Sequence, residues 1–392
     1  GLFLYDHLST RTTLPGSESV RLNGQSPLKS CFKQGFEYSD AWVDDARLVV
    51  LNAMALKERG GTVLTRTRAV SAVRDGEVWH IHLKDQLSGE ERVVQARALV
   101  NAAGPWVTEF IHGRLNKQSS HNVRLIKGSH IIVPALYHEN RAYILQNDDQ
   151  RIVFVIPYME QFSLIGTTDV EYTGDPASVH CSQEERRYLC RVVNQHFKKD
   201  ISVEDIVWDY SGVRPLCEDE SSDPRAVTRD YTFEIEDDQG KAPLLSIFGG
   251  KLTTYRKLAE HAMNRLACYF PEAGEAWTSH NRLPGAEIPA RCIQQLKSHY
   301  PWLPEALAGR YCHSYGSLSY RILSNADSIE GLGRCFGAGL YQAEVDYLLR
   351  YEWVMEEEDL LWRRTKLGLF LTEPEKKELG SYIKQRLAFI LD

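Results

Sequence analysis

One stretch near the middle of the chain restricts the fold more than any other: LLSIFGGKLTTYRKLAEH, from Leu244 to His261. Leu244 to Phe248 is an apolar run of the length of a buried strand, and Gly249-Gly250 supplies a turn that residues bearing a β-carbon resist. Leu252, Tyr255, Ala259, Ala262, Met263 and Leu266 then recur at three- and four-residue spacing, with Arg256, Lys257, Glu260 and Arg265 mostly opposite, which predicts an amphipathic helix. The free N–H groups and positive dipole end of such a helix suit an anion, or a ring that becomes anionic when reduced. Lys251, Thr253 and Thr254 add donors. Read alone, the pattern is equally an ordinary βα corner.

The bulk numbers exclude several classes. A chain of 392 residues has room for two or three domains and a sizeable core. A formal net charge of -7 argues against a nucleic-acid partner, whose phosphates demand a positive excess. No apolar run approaches the roughly 18 residues that cross a bilayer. The 8 cysteines show no metal-ligand spacing and no dense disulfide framework, so they read as reduced thiols of a cytoplasmic protein, with no metal expected. The opening Gly1-Leu-Phe-Leu-Tyr5 has neither an initiator methionine nor a basic leader, and reads as an internal start.

In chain order, residues 1 to 9 read as the end of an amphipathic helix, and Cys31 to Val43 as an extended segment. Asp44 is the expected N-cap of a helix running to Arg59 and stopped by Gly60-Gly61. Thr62 to Ala103 reads as strands broken at Asp75-Gly76 and Ser88-Gly89, the last strand running into Asn101-Ala-Ala-Gly104, whose small residues admit a flat ligand or simply a tight turn. Val123 to Gly174 predicts an antiparallel sheet with one covered face. A helix over Ser182 to Lys198 and a strand from Ile206 to Val213 follow, the strand leading into Arg214-Pro215. Beyond Pro284 the chain reads as mostly helical, ending in an amphipathic helix that carries Leu379, Ile383, Leu387 and Ile390.

Five segments, in this order, carry a resemblance: VNAAGPWV (Val100 to Val107), RLIKGSHIIVP (Arg124 to Pro134), IGTTDVEY (Ile165 to Tyr172), YSGVRPL (Tyr210 to Leu216) and FGGKLTTYRKLAE (Phe248 to Glu260). Together with WRRTKLGL (Trp362 to Leu369), they resemble FAD-dependent glycerol-3-phosphate dehydrogenases of the aerobic bacterial type. The resemblance implies an α/β fold in which an FAD-binding Rossmann-like domain, of the glutathione-reductase and D-amino-acid-oxidase type, is interrupted by an antiparallel-sheet substrate domain and followed by a helical domain. The expected bounds are 43–118 with 240–275 for the first, 1–42 with 119–239 for the second, and 276–392 for the third. The family also opens with a strand, a G-x-G-x-x-G turn and a helix that hold the FAD pyrophosphate. No such turn occurs here, so the chain is expected to be N-terminally truncated by at least one βαβ unit, on the order of 30 residues.

The implied reaction is oxidation of sn-glycerol 3-phosphate to dihydroxyacetone phosphate, hydride passing to flavin N5 and electrons on to a quinone. It needs a base, cations for a dianion and donors near the reduced ring. The resemblance makes His130 the base, with Arg214 and Lys251 as catalytic cations, and Arg229, Thr168 and Asp169 as further substrate-side residues. Gly249, Gly250, Leu252 and Thr253 are expected along the flavin, Ala102, Ala103 and Gly104 against it from a neighbouring strand, and Val70 near the adenine. Trp362, Arg363, Arg364 and Lys366 are candidates for a membrane or quinone surface, or else a helix face packed on its own domain. The implied location is cytoplasmic, peripheral on the inner face of the membrane, and a homodimer is left open. Three alternatives stand beside this reading: an oxidase giving electrons to oxygen, an FAD-dependent amine oxidase of the same fold, and an inactive fragment.

Overall fold

The structure is a computed structural model that describes residues 15–217, 231–287 and 291–391. The expected helix at residues 1 to 9 and the candidate clamp residue Arg229 lie outside the described residues. Among the described residues there are fourteen strands: β1 (Glu18–Arg21), β2 (Gln34–Glu37), β3 (Thr67–Asp75), β4 (Val78–Asp85), β5 (Glu91–Ala96), β6 (Leu99–Asn101), β7 (Val123–Pro134), β8 (Tyr143–Gln146), β9 (Ile152–Tyr158), β10 (Phe162–Gly166), β11 (Val170–Glu171), β12 (Trp208–Cys217), β13 (Tyr231–Asp238) and β14 (Lys241–Gly249). Of the segment from Cys31 to Val43 only β2 is strand, because β1 alone pairs with it in a small hairpin.

Helix boundaries follow local chemistry. Asp44 caps α1 (Asp45–Glu58) by accepting from the Arg47 N–H. Ser182 and Glu185 close a reciprocal capping box on α2 (Gln183–His196). After Gly249 and Gly250, both at positive φ, a short 3-10 turn leads into α3 (Tyr255–Leu266). The expected apolar stripe of α3 is only half realised. Ala262 and Leu266 are buried, whereas Leu252 and Met263 are 43% and 53% exposed, so residues of correct spacing lie past the ground that β14 covers.

The described chain forms two compact units. The first comprises residues 1–42, 70–82 and 93–271, and contains every candidate site residue that is described. Its main sheet runs β11-β7-β10-β9-β8, with β12 paired along β7 in antiparallel register from Trp208↔Ile132 to Cys217↔Val123. One face of that sheet packs Ile131, Val133, Val153, Val155 and Ile165 against Leu189, Val192 and Val193 of α2, which is the one covered face that the alternation predicts. A second sheet has the order β13-β14-β6, with β14 and β6 parallel through Leu244↔Leu99 and Ser246↔Asn101. Buried Trp79 donates to the Ala242 carbonyl at 2.9 Å, tying the β3-β4-β5 meander to the start of β14.

The second unit comprises residues 43–69, 83–92 and 272–392, so α1 groups with the C-terminal part rather than with the span expected for it. Val50 and Met54 of α1 share one core with α5 (Glu305–Tyr315), α6 (Gln342–Tyr351) and α7 (Glu373–Leu391), while α4 (Cys292–His299) adds Leu296. Leu379 and Ile383 are buried and Leu387 packs on this core; the Ile390 side chain lies outside the described residues. Fully buried Glu352 is ion-paired with Arg47, and its carbonyl accepts from the Arg364 Nε at 3.1 Å. Cys292 and Cys312 form a disulfide, correcting the expectation of eight reduced thiols. Packing of α4 on α5 brings the two together across a separation of 20 residues, with no motif to announce it.

Candidate functional site

The site is built on one face of the main sheet. Directly opposed residues in antiparallel strands point to the same side, and alternate residues point to opposite sides. The pairs His130↔Tyr210, Gly128↔Gly212 and Ile126↔Arg214 therefore share one face, while Lys127, Ser129 and Ser211 share the other, above α2. The His130 ring stacks on Tyr210 with centroids 5.0 Å apart and an angle of 6°. Its other neighbour is Gly166 of β10, where a β-carbon would come within 2.2 Å of the imidazole Cδ2. Glycine is required there because the ring occupies the space that any side chain would take.

Arg214 reaches back along β12 over Gly128. A β-carbon on Gly128 would lie 2.3 Å from Nη2 and 2.5 Å from the Thr167 hydroxyl. The guanidinium donates from Nη1 to Asp169 Oδ1 at 2.5 Å and from Nη2 to Thr167 Oγ1 at 3.1 Å. A fork held at two points keeps its remaining N–H groups aimed in one direction. Gly212, beside it on the face, is exposed, and a β-carbon there would meet nothing within 4 Å. Along β12 the level of His130 lies four residues from Arg214, about 13 Å, and midway between them Gly212 leaves the face open while the guanidinium folds back over Gly128.

His130 is held neutral at working pH. Burial and the nearby Arg214 charge pull its pKa from 6.5 to about 4. Its Nδ1 is buried with no hydrogen-bond partner, so the ring carries an unused polar atom. On the opposite face Thr168 is buried; its hydroxyl accepts from the Ser129 N–H at 2.9 Å and donates to Glu185 Oε1 at 2.8 Å. Its place beneath the sheet explains why it contributes no group to the open face.

The second sheet supplies the flat cradle. The parallel strands β6 and β14 release their turns at the same edge: from the paired residues Asn101 and Ser246, three further residues bring each chain to Gly104 and Gly249. Crevices beyond the carboxyl ends of parallel strands are where ligands of α/β sheets bind. Gly104, Gly249 and Gly250 have φ of 56°, 75° and 107°. Buried Asn101 staples the first turn by donating to the Val107 carbonyl at 3.0 Å. Beyond the second turn, Lys251, Leu252 and Thr253 are exposed and neither the 3-10 turn nor α3 has a side-chain cap; the Thr254 and Tyr255 N–H groups bond back to the Lys251 and Leu252 carbonyls, which leaves those of Leu252 and Thr253 as the uncapped donors. Small residues on one turn and uncapped donors on the other fit the ring end of a flavin. Val70 sits half-buried in β3.

The two halves are joined through β12, which packs against β14 and the turn at Gly104–Trp106. Cys217, three residues beyond Arg214, shares a core cluster with Val107 and with Phe248, three residues before Lys251. The structure gathers His130, Arg214, Asp169 and Thr167 on one sheet, and gathers Ala102 to Gly104 with Gly249 to Thr253 on the other. Trp362, Arg364 and Lys366 are instead committed to packing in the second unit: Trp362 lies on its core, Arg364 is buried, and Lys366 Nζ is 2.6 Å from Asp44 Oδ1. Among the described residues no helix is long and apolar enough to cross a membrane, and no group of acidic, histidine or cysteine side chains is arranged to hold a metal.

Sequence reasoning missed Tyr210, Thr167 and Glu185. Glycines inside the strand segments KGSH, IGTT and YSGV were the available signal, since glycine in a strand marks a close approach.

Comparison with known proteins gives the family and the fold. The family described as FAD dependent oxidoreductase matches residues 8–256, and that described as the C-terminal domain of alpha-glycerophosphate oxidase matches residues 276–384. The aerobic glycerol-3-phosphate dehydrogenase of Escherichia coli is 52% identical over 99% of this chain and 79% of its own length. The D-erythritol 1-phosphate dehydrogenase of Brucella abortus is 47% identical over 96% of this chain and 76% of its own. The solved structure of the glycerol-3-phosphate dehydrogenase from Bacillus halodurans complexed with FAD superposes with a TM-score of 0.72 at 25% identity, covering 92% of this chain and 76% of that one.

Proposed function

Because this chain belongs to the family of FAD-dependent glycerol-3-phosphate dehydrogenases, we propose that it oxidises the secondary alcohol of sn-glycerol 3-phosphate to dihydroxyacetone phosphate. FAD, when bound, supplies the acceptor for the hydride; Ala102, Ala103, Gly104, Gly249, Gly250, Leu252 and Thr253 are the residues that fit its ring end, and Val70 is kept for the adenine. His130 receives the hydroxyl proton. A ring with a pKa of about 4 is a weak base by itself, but part of that depression comes from Arg214. A phosphate or alkoxide drawn to Arg214 offsets the guanidinium charge and strengthens the base when substrate arrives. Lys251 and Arg229 complete the cationic side, and Thr168 and Asp169 orient it.

The observation that carries the reading is a neutral imidazole and a doubly anchored guanidinium on one sheet face, with the open Gly212 between their levels. Anaerobic addition of sn-glycerol 3-phosphate to the flavin-loaded protein is expected to bleach the visible flavin bands, whereas glycerol and sarcosine leave them unchanged. D-Erythritol 1-phosphate in the same assay decides the length of the polyol. Absence of bleaching with either phosphate overturns the reading.

Electrons are proposed to pass to a membrane quinone, with the protein lying peripherally on the cytoplasmic face. Peroxide formed in proportion to substrate would favour oxygen as the acceptor instead. Sedimentation of the loaded protein tests the homodimer.

A further inference from the structure

The side chains that shape the open face are themselves anchored from beneath it. Glu185, in the first turn of α2, is 6% exposed, and its carboxylate is fully engaged. Oε2 receives the Ser182 N–H at 2.9 Å and lies 2.7 Å from Lys127 Nζ. Oε1 receives both the Ser129 hydroxyl and the Thr168 hydroxyl, each at 2.8 Å. Only the Ser182 bond belongs to helix capping. A cap needs no burial, and taking a carboxylate out of water is costly unless every lone pair is used. The two bonds at Oε1 go instead to residues that flank the chemistry: Ser129 precedes His130, and Thr168 lies between Thr167 and Asp169, which hold Arg214. Ser129 is further tied to Ser211, 2.7 Å away across the strand pair, next to Tyr210 on which the imidazole stacks.

We propose that Glu185 is a positioning residue for the reaction: from the helix-covered side of the sheet it fixes Ser129 and Thr168, and through them the His130 ring and the grip on Arg214. The proposal rests on the roles given above to His130 and Arg214. The bonds to Glu185 persist through the working range of pH. Burial pushes its carboxyl up, but the Lys127 ammonium, the Ser182 N–H and the two hydroxyls outweigh this and hold the pKa at about 2.

The test uses the flavin-loaded protein with three substitutions. Glu185→Gln leaves an amide facing Lys127, Thr168→Val removes both hydroxyl bonds at nearly constant shape, and Thr168→Ser keeps them. The expectation for Glu185→Gln and Thr168→Val is a kcat lower by about ten- to a hundredfold, the scale on which misplacing a reacting group acts, with KM changed less than kcat. Thr168→Ser stays within about threefold of wild type, since the hydroxyl rather than the methyl does the holding. Backbone hydrogen exchange across residues 166–171 should quicken in the first two variants and not in the third. If Glu185→Gln does not fold, the valine and serine pair carries the test alone. Wild-type turnover in Thr168→Val, or equal losses in the valine and serine variants, overturns the proposal. A wild-type protein unresponsive to polyol phosphates, but whose exchange follows the hydroxyl, sinks the substrate reading and leaves the positioning role standing.

Discussion

Replacing His130 with glutamine is expected to remove a specific pH dependence of stability. In the folded protein the imidazole pKa lies at about 4, through burial first and the Arg214 charge second, while the unfolded chain titrates near 6.5. Between these values the unfolded state binds a proton that the folded state refuses, so stability rises with pH across this window. The contribution is complete above 6.5 and lost as pH falls through about 4. At 1.36 kcal/mol per pH unit the full span amounts to roughly 3 kcal/mol. Urea unfolding of wild type and His130→Gln, followed by tryptophan fluorescence from about pH 4.5 to 7.5, isolates this part as the difference between the two curves. The difference should steepen toward acid with a slope approaching about 1.4 kcal/mol per pH unit. Parallel curves would refute the claim that His130 is buried neutral, and with it the use of the ring as a proton acceptor. Arg214→Gln supplies a second check, because without the guanidinium the acid limb of kcat/KM should move to higher pH.

Three other substitutions address separate parts of the molecule. Gly212→Val places a branched side chain on the open floor between His130 and Arg214, and should lower kcat/KM by about a hundredfold or more with flavin content unchanged; unaltered kinetics would show that substrate lies elsewhere. Gly250→Ala forces a β-carbon into a φ of 107°, 2.9 Å from Leu258 Cδ1, and should cost about 1–3 kcal/mol and loosen flavin, read as the flavin-to-protein absorbance ratio after dialysis. Glu352→Gln leaves Arg47 unpaired in the core of the second unit and should cost about 3–5 kcal/mol in urea unfolding, a loss that a surface ion pair would not produce.

Much of the local structure was legible in the residues. The strand ending at Gly249, the cap at Asp44, the helix from Ser182 and the alternation of β7 are each dictated by neighbours a few positions apart, where glycine φ, capping bonds and pleat leave little choice. The candidate residues carried by KGSH, SGVRP and GGK were reached differently, through the resemblance that those segments carry together. What the residues could not reveal is which of them meet. Register along β7 and β12 decided that His130 and Arg214 share a face and that Ser129 and Lys127 lie beneath it, and a slip of one residue would reverse this. Only packing of α2 under the sheet turned the capping residue Glu185 into an anchor for Ser129 and Thr168. Only the second unit's core drew Arg364 and Lys366 away from any surface role. Propensity and capping act within a turn of chain, whereas burial and long-range pairing depend on segments far apart in sequence. The tertiary structure therefore chose among partners that the local pattern left open.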